Sequence, residues 1–512
     1  MSLAIGGAMT SNAVDVCVVG SGASGSIVAH EIARNGFRVH VLEAGLKLPT
    51  GASLATVQNG IDAALVRSPT GTLRPIGWPW TVSTLGGGMT LYAGIAFRYR
   101  KVDFDARTHV APDALDPVWP IDYGELRPYY EELEHRMGVA RLAGADPLEP
   151  PSDPAVLPPH RYSLQGGLIA TAGGRLGRQP FPTPLAINSV PYRGRPACDR
   201  CGPCNEHPCP SGARADAHAP FTDVCLPPGA LSVSSGSKAV HIELGSVSRA
   251  DTVEWLDTVT RQRARIHARC MVLAGNAIQS AALLLRSVQR AAPNGIGNTT
   301  GMVGRGICFK ISGYVSGTIT MNRLPLHSSG GPLSTVAMTD HYLDSDAPSG
   351  LGGLIYEASP ADRAAGERQV PLRVHFLAAD QPMRSNAVRL ANSRDRLGLP
   401  NIILEYRTHP LDKRRLGYLS QRASDVLTEA GVKEIDYEDS NYQFGSGHLH
   451  GGCRAGVDPK ESVVDRWGRV HDIDNLYVAD GGFFPYPGGV NPTFTIQANA
   501  LRIARRILRQ LA

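Results

Sequence analysis

Apolar residues in this chain follow two patterns: short, nearly continuous runs rich in Val, Leu and Ala, and apolar positions spaced three or four apart. The first marks buried strands and the second marks helices. Residues 14–19 (Val-Asp-Val-Cys-Val-Val) read as a parallel strand covered on both faces. Residues 26–35 have helical character, Gly36 is placed to end that helix in a left-handed cap, and residues 38–42 form a second strand closed by Glu43. A strand, a turn and a helix start recur over residues 271–280, and that helix continues through Leu283, Leu284 and Leu285. Residues 476–479 read as one more buried strand. Near the end, Ile496, Ala500, Ala504, Ile507 and Leu511 recur at helical spacing, with Asn491 as the expected N-cap and Pro492 at the first helical position.

Strands alternating with helices predict an α/β protein. At 512 residues, 42% of them hydrophobic, the chain exceeds what one core usually serves, so two closely packed domains are expected. A net charge of +5 with scattered Lys and Arg gives no support for a nucleic-acid partner. No apolar run approaches the roughly 20 residues of a membrane span, so no membrane partner is expected. Residues 1–10 lack the basic and long apolar regions of a signal peptide, which predicts a cytoplasmic location and reduced thiols.

Gly20-Ser21-Gly22-Ala23-Ser24-Gly25 sits between the first strand and the first helix. This is a complete dinucleotide fingerprint. Gly20, Gly22 and Gly25 permit a tight turn and close approach to a pyrophosphate, and Ser24 belongs to the same turn. The helix N-terminus favours phosphate charge, and Glu43, followed by Ala44, can accept from ribose hydroxyls. The fingerprint does not separate FAD from NAD.

Further motifs do. Leu85-Gly86-Gly87-Gly88-Met89-Thr90 is a second glycine turn, with Asp103-Phe104-Asp105 after it. His448-Leu449-His450-Gly451-Gly452-Cys453-Arg454, Leu476-Tyr477-Val478-Ala479-Asp480-Gly481 and Asn491-Pro492-Thr493 follow in the C-terminal part. In order and spacing these resemble the glucose–methanol–choline (GMC) family of FAD oxidoreductases. The resemblance implies a Rossmann-like FAD-binding domain plus a substrate domain with an antiparallel sheet. Residues 1–110, 210–310 and 445–512 would build the discontinuous FAD domain, 111–209 a connecting, cysteine-rich segment, and 311–444 the substrate domain. A narrower resemblance, carried by residues 181–188, 340–344 and 484–489, is to the aminoglycoside 6′-dehydrogenases, which oxidise a primary sugar alcohol during antibiotic assembly.

Alcohol oxidation needs a base for the hydroxyl proton, a hydride acceptor, and stabilisation of the charge that develops. The resemblance places the base at His448, five residues before Cys453; a structural histidine is the alternative, and His450 is the local competitor. It places a substrate-facing amide at Asn491, which could serve as helix cap as well. The helix beginning at Pro492 and Thr493 would direct its positive end at the flavin, while Asp480 and Gly481 hold the cofactor's ribityl and pyrophosphate region. Gly86, Gly87, Gly88 and Thr90 would approach the cofactor closely. Two departures stand out: Tyr92 replaces the family's usual Asn, and Gly452 its usual Thr.

Cys198, Cys201, Cys204 and Cys209 have spacing that could converge on an iron–sulfur cluster or zinc, although the last interval is one residue longer than in bacterial ferredoxins; disulfides or free thiols are the alternatives. A cluster would imply an electron-acceptor partner, and its absence would favour oxygen or a diffusible acceptor. Residues 311–440 should form the substrate sheet. There Asp340 and Glu357 are candidates to meet the ammonium groups of an amino-sugar substrate, against the reading of a solvated acidic loop. The expected reaction is oxidation of the 6′-primary alcohol of an aminoglycoside pseudodisaccharide to the aldehyde or onward to the acid. Oxidation of another sugar or alcohol, or an FAD-containing lyase using the same histidine, are the competing readings.

Overall fold

The computed structural model describes residues 13–49, 52, 64–68, 71–75, 82–202, 204–322, 331–359, 368–439 and 447–512. Its first layer is a seven-stranded sheet. The valine-rich run is strand Ala13–Val19, paired in parallel with Val39–Glu43 on one side and Arg263–Leu273 on the other. Leu231–Ser235 extends the parallel set beyond Val39–Glu43, and Leu476–Val478 pairs in parallel with Arg263–Leu273. Ser237–Ser246 and Arg249–Asp257 add an antiparallel hairpin.

The register aligns the carboxyl ends of the parallel strands: Val19 lies opposite both Leu42 and Leu273, and Val478 opposite Leu273. Gly20, Glu43, Ala274 and Asp480 therefore emerge together, at the edge where open α/β sheets bind ligands. Helix Ala23–Ala33 packs on this sheet and against the C-terminal helix Thr493–Leu511. Gly36 takes the left-handed conformation expected of it, with φ +90°, and its N–H donates to Ala33 O at 3.0 Å.

One expectation fails at the last helix. It begins at Thr493, with Pro492 rather than Asn491 in the cap position and no side-chain cap. Asn491 stands one residue outside the helix, so its amide is released for other partners.

The second layer is a six-stranded antiparallel sheet in the order 436–439, 311–320, 369–378, 354–357, 336–338 and 181–182. Helices Leu164–Arg175 and Pro410–Glu429 cover one face, burying Ile169, Leu419, Ala423 and Val426 against Ile311, Val315, Val374 and Phe376. A third sheet joins 387–394 and 400–405 to 64–67 and 73–75. Among the described residues no helix is long and apolar enough to cross a membrane.

Candidate active site

A cleft of about 930 Å³ runs from the carboxyl edge of the first sheet to the second. At one end it is lined by Gly20, Gly22, Ser24, Glu43, Ala44, Gly87, Gly88, Asp480, Gly481, Pro492 and Thr493, which brings together eleven of the residues expected to hold a dinucleotide.

The glycines there are needed for space. A Cβ on Gly20 would stand 2.4 Å from Ala274 O, and one on Gly25 only 1.9 Å from Gly20 O, so both positions admit no side chain. Gly22 and Gly87 bring the two glycine turns together, since a Cβ on Gly87 would lie 2.8 Å from Gly22 Cα. Gly25, Gly86 and Thr90 do not line the cleft but shape it. Gly86 donates its N–H to Ser21 Oγ at 2.9 Å, and Thr90 donates to Gly87 O at 2.8 Å.

Ser21 was not singled out from sequence. It donates its hydroxyl and its N–H to Glu43 Oε2 at 2.7 and 2.9 Å, while Gly45 N–H donates to Glu43 Oε1 at 2.8 Å. Glu43 thus clips both glycine turns to the end of its strand and still faces the cleft. Asp480 accepts from Ser280 Oγ at 2.6 Å and from Gly482 N–H at 2.8 Å; burial outweighs these bonds and pushes its carboxyl up to about 6.

Three helices, Ala23–Ala33, Ala277–Arg286 and Thr493–Leu511, begin at the cleft with Ala23, Asn276 and Thr493 in its wall. The helices at Ala23 and Thr493 have no side-chain cap, and their positive ends favour an anionic ligand, whereas Asn276 Oδ1 accepts from Ile278 and Gln279 N–H at 3.0 and 3.1 Å. The donor set, glycine cradle and acidic strand end fit a bound FAD. Tyr92, the departure from the family pattern, also lines this region and donates its hydroxyl to Ala215 O at 2.8 Å.

His448 and Asn491 line the same cleft farther on. Burial, the Lys310 ammonium and then His375 hold the His448 imidazole well below its ordinary value, so the ring is neutral. Lys310 is itself buried, which pushes it down to about 7, and its Nζ donates to Pro487 O and Gly488 O at 2.5 and 2.6 Å. His450 is fully enclosed, with Nε2 3.5 Å from the Tyr99 hydroxyl, and is not part of the cleft lining. Of the two histidines, only His448 can meet a substrate.

The facing wall comes from the second sheet. Tyr314, His375 and Tyr356 stand opposite one another on three adjacent strands, and the rings of Tyr314 and His375 stack at 4.3 Å. His375 Nδ1 is hydrogen-bonded to the Tyr356 hydroxyl, which also bonds the Asn491 side chain. Arg373 lies 3.8 Å over the Tyr314 ring and donates to Glu438 at 2.7 Å. Cross-strand register creates this row, and no single stretch of sequence announces it.

The expected substrate carboxylates lie elsewhere. Glu357 is fully buried and accepts from Ser163 Oγ, Gln165 Nε2, Thr335 N–H and Thr335 Oγ at 2.5, 3.0, 2.6 and 2.6 Å. It binds a helix start to the sheet. Asp340 accepts from Gln179 N–H at 3.0 Å and sits beside Arg178. Neither lines the cleft, whose acidic residues among those described are Glu43, Glu206, Glu438 and Asp480.

Cys198, Cys201, Cys204 and Cys209 are all free thiols. Among the described residues no three His, Cys, Asp or Glu side chains are placed to hold a metal ion, so the iron–sulfur and zinc readings find no support here.

Comparison with known proteins agrees with this geometry. Residues 382–500 match the GMC oxidoreductase family and residues 18–66 the NAD(P)-binding Rossmann-like domain. The chain is 44% identical to the 6'''-hydroxyparomomycin C oxidase of Streptomyces lividus, covering 97% of this chain and 92% of the relative. It is 43% identical to the paromamine 6'-oxidase of Streptomyces fradiae over the same shares. Among solved structures, the pyridoxine 4-oxidase of Mesorbium loti superposes with a TM-score of 0.67 at 20% identity, covering 96% of this chain and 99% of that one.

Proposed function

The chain belongs to the GMC family of FAD-dependent oxidoreductases acting on CH–OH groups, and from that premise we propose that it oxidises the 6′-primary alcohol of an aminoglycoside pseudodisaccharide to the aldehyde in antibiotic biosynthesis. The observation that carries this reading is a cleft lined by Gly20, Gly22, Glu43 and Asp480 and also by His448 and Asn491. Relatives named for paromamine and 6'''-hydroxyparomomycin C support the substrate class.

In this reading His448 takes the hydroxyl proton as the alcohol carbon gives up its hydride, leaving an aldehyde. A neutral imidazole has a basic nitrogen lone pair that can take that proton. When bound, FAD supplies the acceptor for the hydride. Asn491, freed from helix capping and braced by Tyr356, orients the substrate oxygen. Gly20, Gly22, Ser24, Gly87, Gly88, Asp480, Gly481, Pro492 and Thr493 would hold the cofactor. The same base could act again on the aldehyde hydrate to give the acid.

The test is product analysis of the flavin-loaded protein with paromamine and oxygen or an artificial electron acceptor. The reading expects 6′-aldehyde or 6′-acid; oxidation at any other carbon, or of neutral alcohols alone, sinks it.

A further inference from the structure

The cysteine-rich segment has a place in the cleft that its thiols do not explain. Asn205, Glu206 and His207, between Cys204 and Cys209, form part of the lining. The backbone presenting them is pinned. Glu206 N–H donates to Leu91 O at 2.7 Å. Arg214 donates to His207 O and Thr90 O, each at 2.7 Å, and to Cys204 O. Glu206 itself holds φ +67°, a left-handed conformation that non-glycine residues adopt only when their surroundings fix it.

The other acidic side chains of the cleft are engaged. Glu43 serves Ser21 and Gly45, Asp480 serves Ser280 and Gly482, and Glu438, 64% exposed, pairs with Arg373. Among the described residues the half-buried Glu206 carboxylate makes no hydrogen bond or ion pair. It shares the cleft lining with Tyr314, His375 and Tyr356, and its charge adds to the effects that raise the Tyr314 phenol. In that lining, His375 Nε2, in a side chain more than nine-tenths buried, also has no hydrogen-bond partner among the described residues.

We propose that Glu206 is the specificity-determining residue of the cleft, its carboxylate receiving an ammonium group of the amino-sugar substrate while the alcohol is presented to His448. The inference rests on the proposed oxidation of an amino sugar. A partly desolvated carboxylate with no protein partner recognises a cation strongly, because a charge-assisted hydrogen bond formed out of water is about twice as strong as a neutral one. It also gives the cysteine-rich segment a role as a shaped wall that carries Glu206.

The experiment compares flavin-loaded wild type, Glu206→Gln and Glu206→Asp with paromamine and with an analogue bearing hydroxyls in place of the amines. Glu206→Gln is expected to raise KM for paromamine about tenfold or more with kcat changed less than about twofold, the signature of lost uniform binding. KM for the neutral analogue should not rise, Glu206→Asp should recover part of the loss, and the rise of KM with ionic strength should flatten in Glu206→Gln. If wild type oxidises paromamine and Glu206→Gln leaves its KM unchanged, or raises KM equally for both substrates, Glu206 does not read charge and only this inference falls. If wild type oxidises the neutral analogue and not paromamine, the substrate reading falls and takes this one with it.

Discussion

Glu357 separates structural from substrate-binding roles most sharply. Its carboxylate is an acceptor for four donors: two hydroxyls, one main-chain N–H and one side-chain amide. Glu357→Gln keeps the shape but turns one acceptor oxygen into an NH₂. If that NH₂ faces Thr335 it opposes a main-chain N–H that cannot turn. If it faces the other pair it opposes Gln165 Nε2, already committed to Ala358 O at 2.8 Å, while Ser163 Oγ can turn and accept from it without giving up Gly166 N–H at 2.8 Å. Either orientation strands one buried N–H donor, Thr335 N–H or Gln165 Nε2–H, at about 1–3 kcal/mol. The expected loss of stability is therefore about 1–3 kcal/mol, read as a lower urea midpoint at unchanged slope for the transition that includes the second sheet. KM for an amino sugar should stay as in wild type. An unchanged midpoint with a raised KM would refute this reasoning and return the carboxylate to the substrate.

Other outcomes follow from the same geometry. His448→Ala should lower the rate of flavin reduction by substrate about 100-fold to 10,000-fold while leaving the flavin bound; a near-normal rate in stopped flow would remove His448 from proton transfer. Because His448 is held well below the ordinary imidazole value, it stays deprotonated as pH falls through 6.5, so kcat/KM should show no acid limb there; a limb near 6.5 would contradict the assignment. Stability should move differently. His30, His40, His160, His341, His375, His448, His450 and His471 all have lowered values in the fold and outnumber the buried Asp103, Asp380, Asp412 and Asp480, whose raised values work the other way, so below about pH 6.5 the unfolded chain binds more protons and stability declines as pH falls. Urea midpoints measured from pH 7.5 to about 5 check the direction. Gly25→Ala would drive a Cβ to 1.9 Å from Gly20 O and should yield protein without bound flavin; a yellow, active Gly25→Ala enzyme would mean the turn is looser than described.

What could be read from the sequence was local. Strand Ala13–Val19, the glycine turn, the helix after it and Glu43 are contiguous, and valine runs and glycine spacing encode them directly. His448, Asn491 and Asp480 were legible because they stand in short motifs, and the structure brings all three to one cleft. Residues whose placement depends on pairing were not legible. Tyr314, Tyr356 and His375 meet only through the register of three strands. Glu206 reaches the cleft because Arg214 folds back the cysteine segment. Glu357 was misread for the converse reason: an acid in a glycine-bearing stretch looks exposed until the neighbouring strand and helix close over it. Asn491 was expected to cap a helix that starts one residue later, a shift within the ordinary uncertainty of helix ends.

The most direct test of the central claim is anaerobic mixing of the purified flavin-loaded protein with paromamine while the flavin absorbance is followed. The account predicts prompt bleaching, with recovery of the 6′-aldehyde, and no bleaching in His448→Ala. A flavin that stays oxidised with paromamine and every related pseudodisaccharide would contradict it.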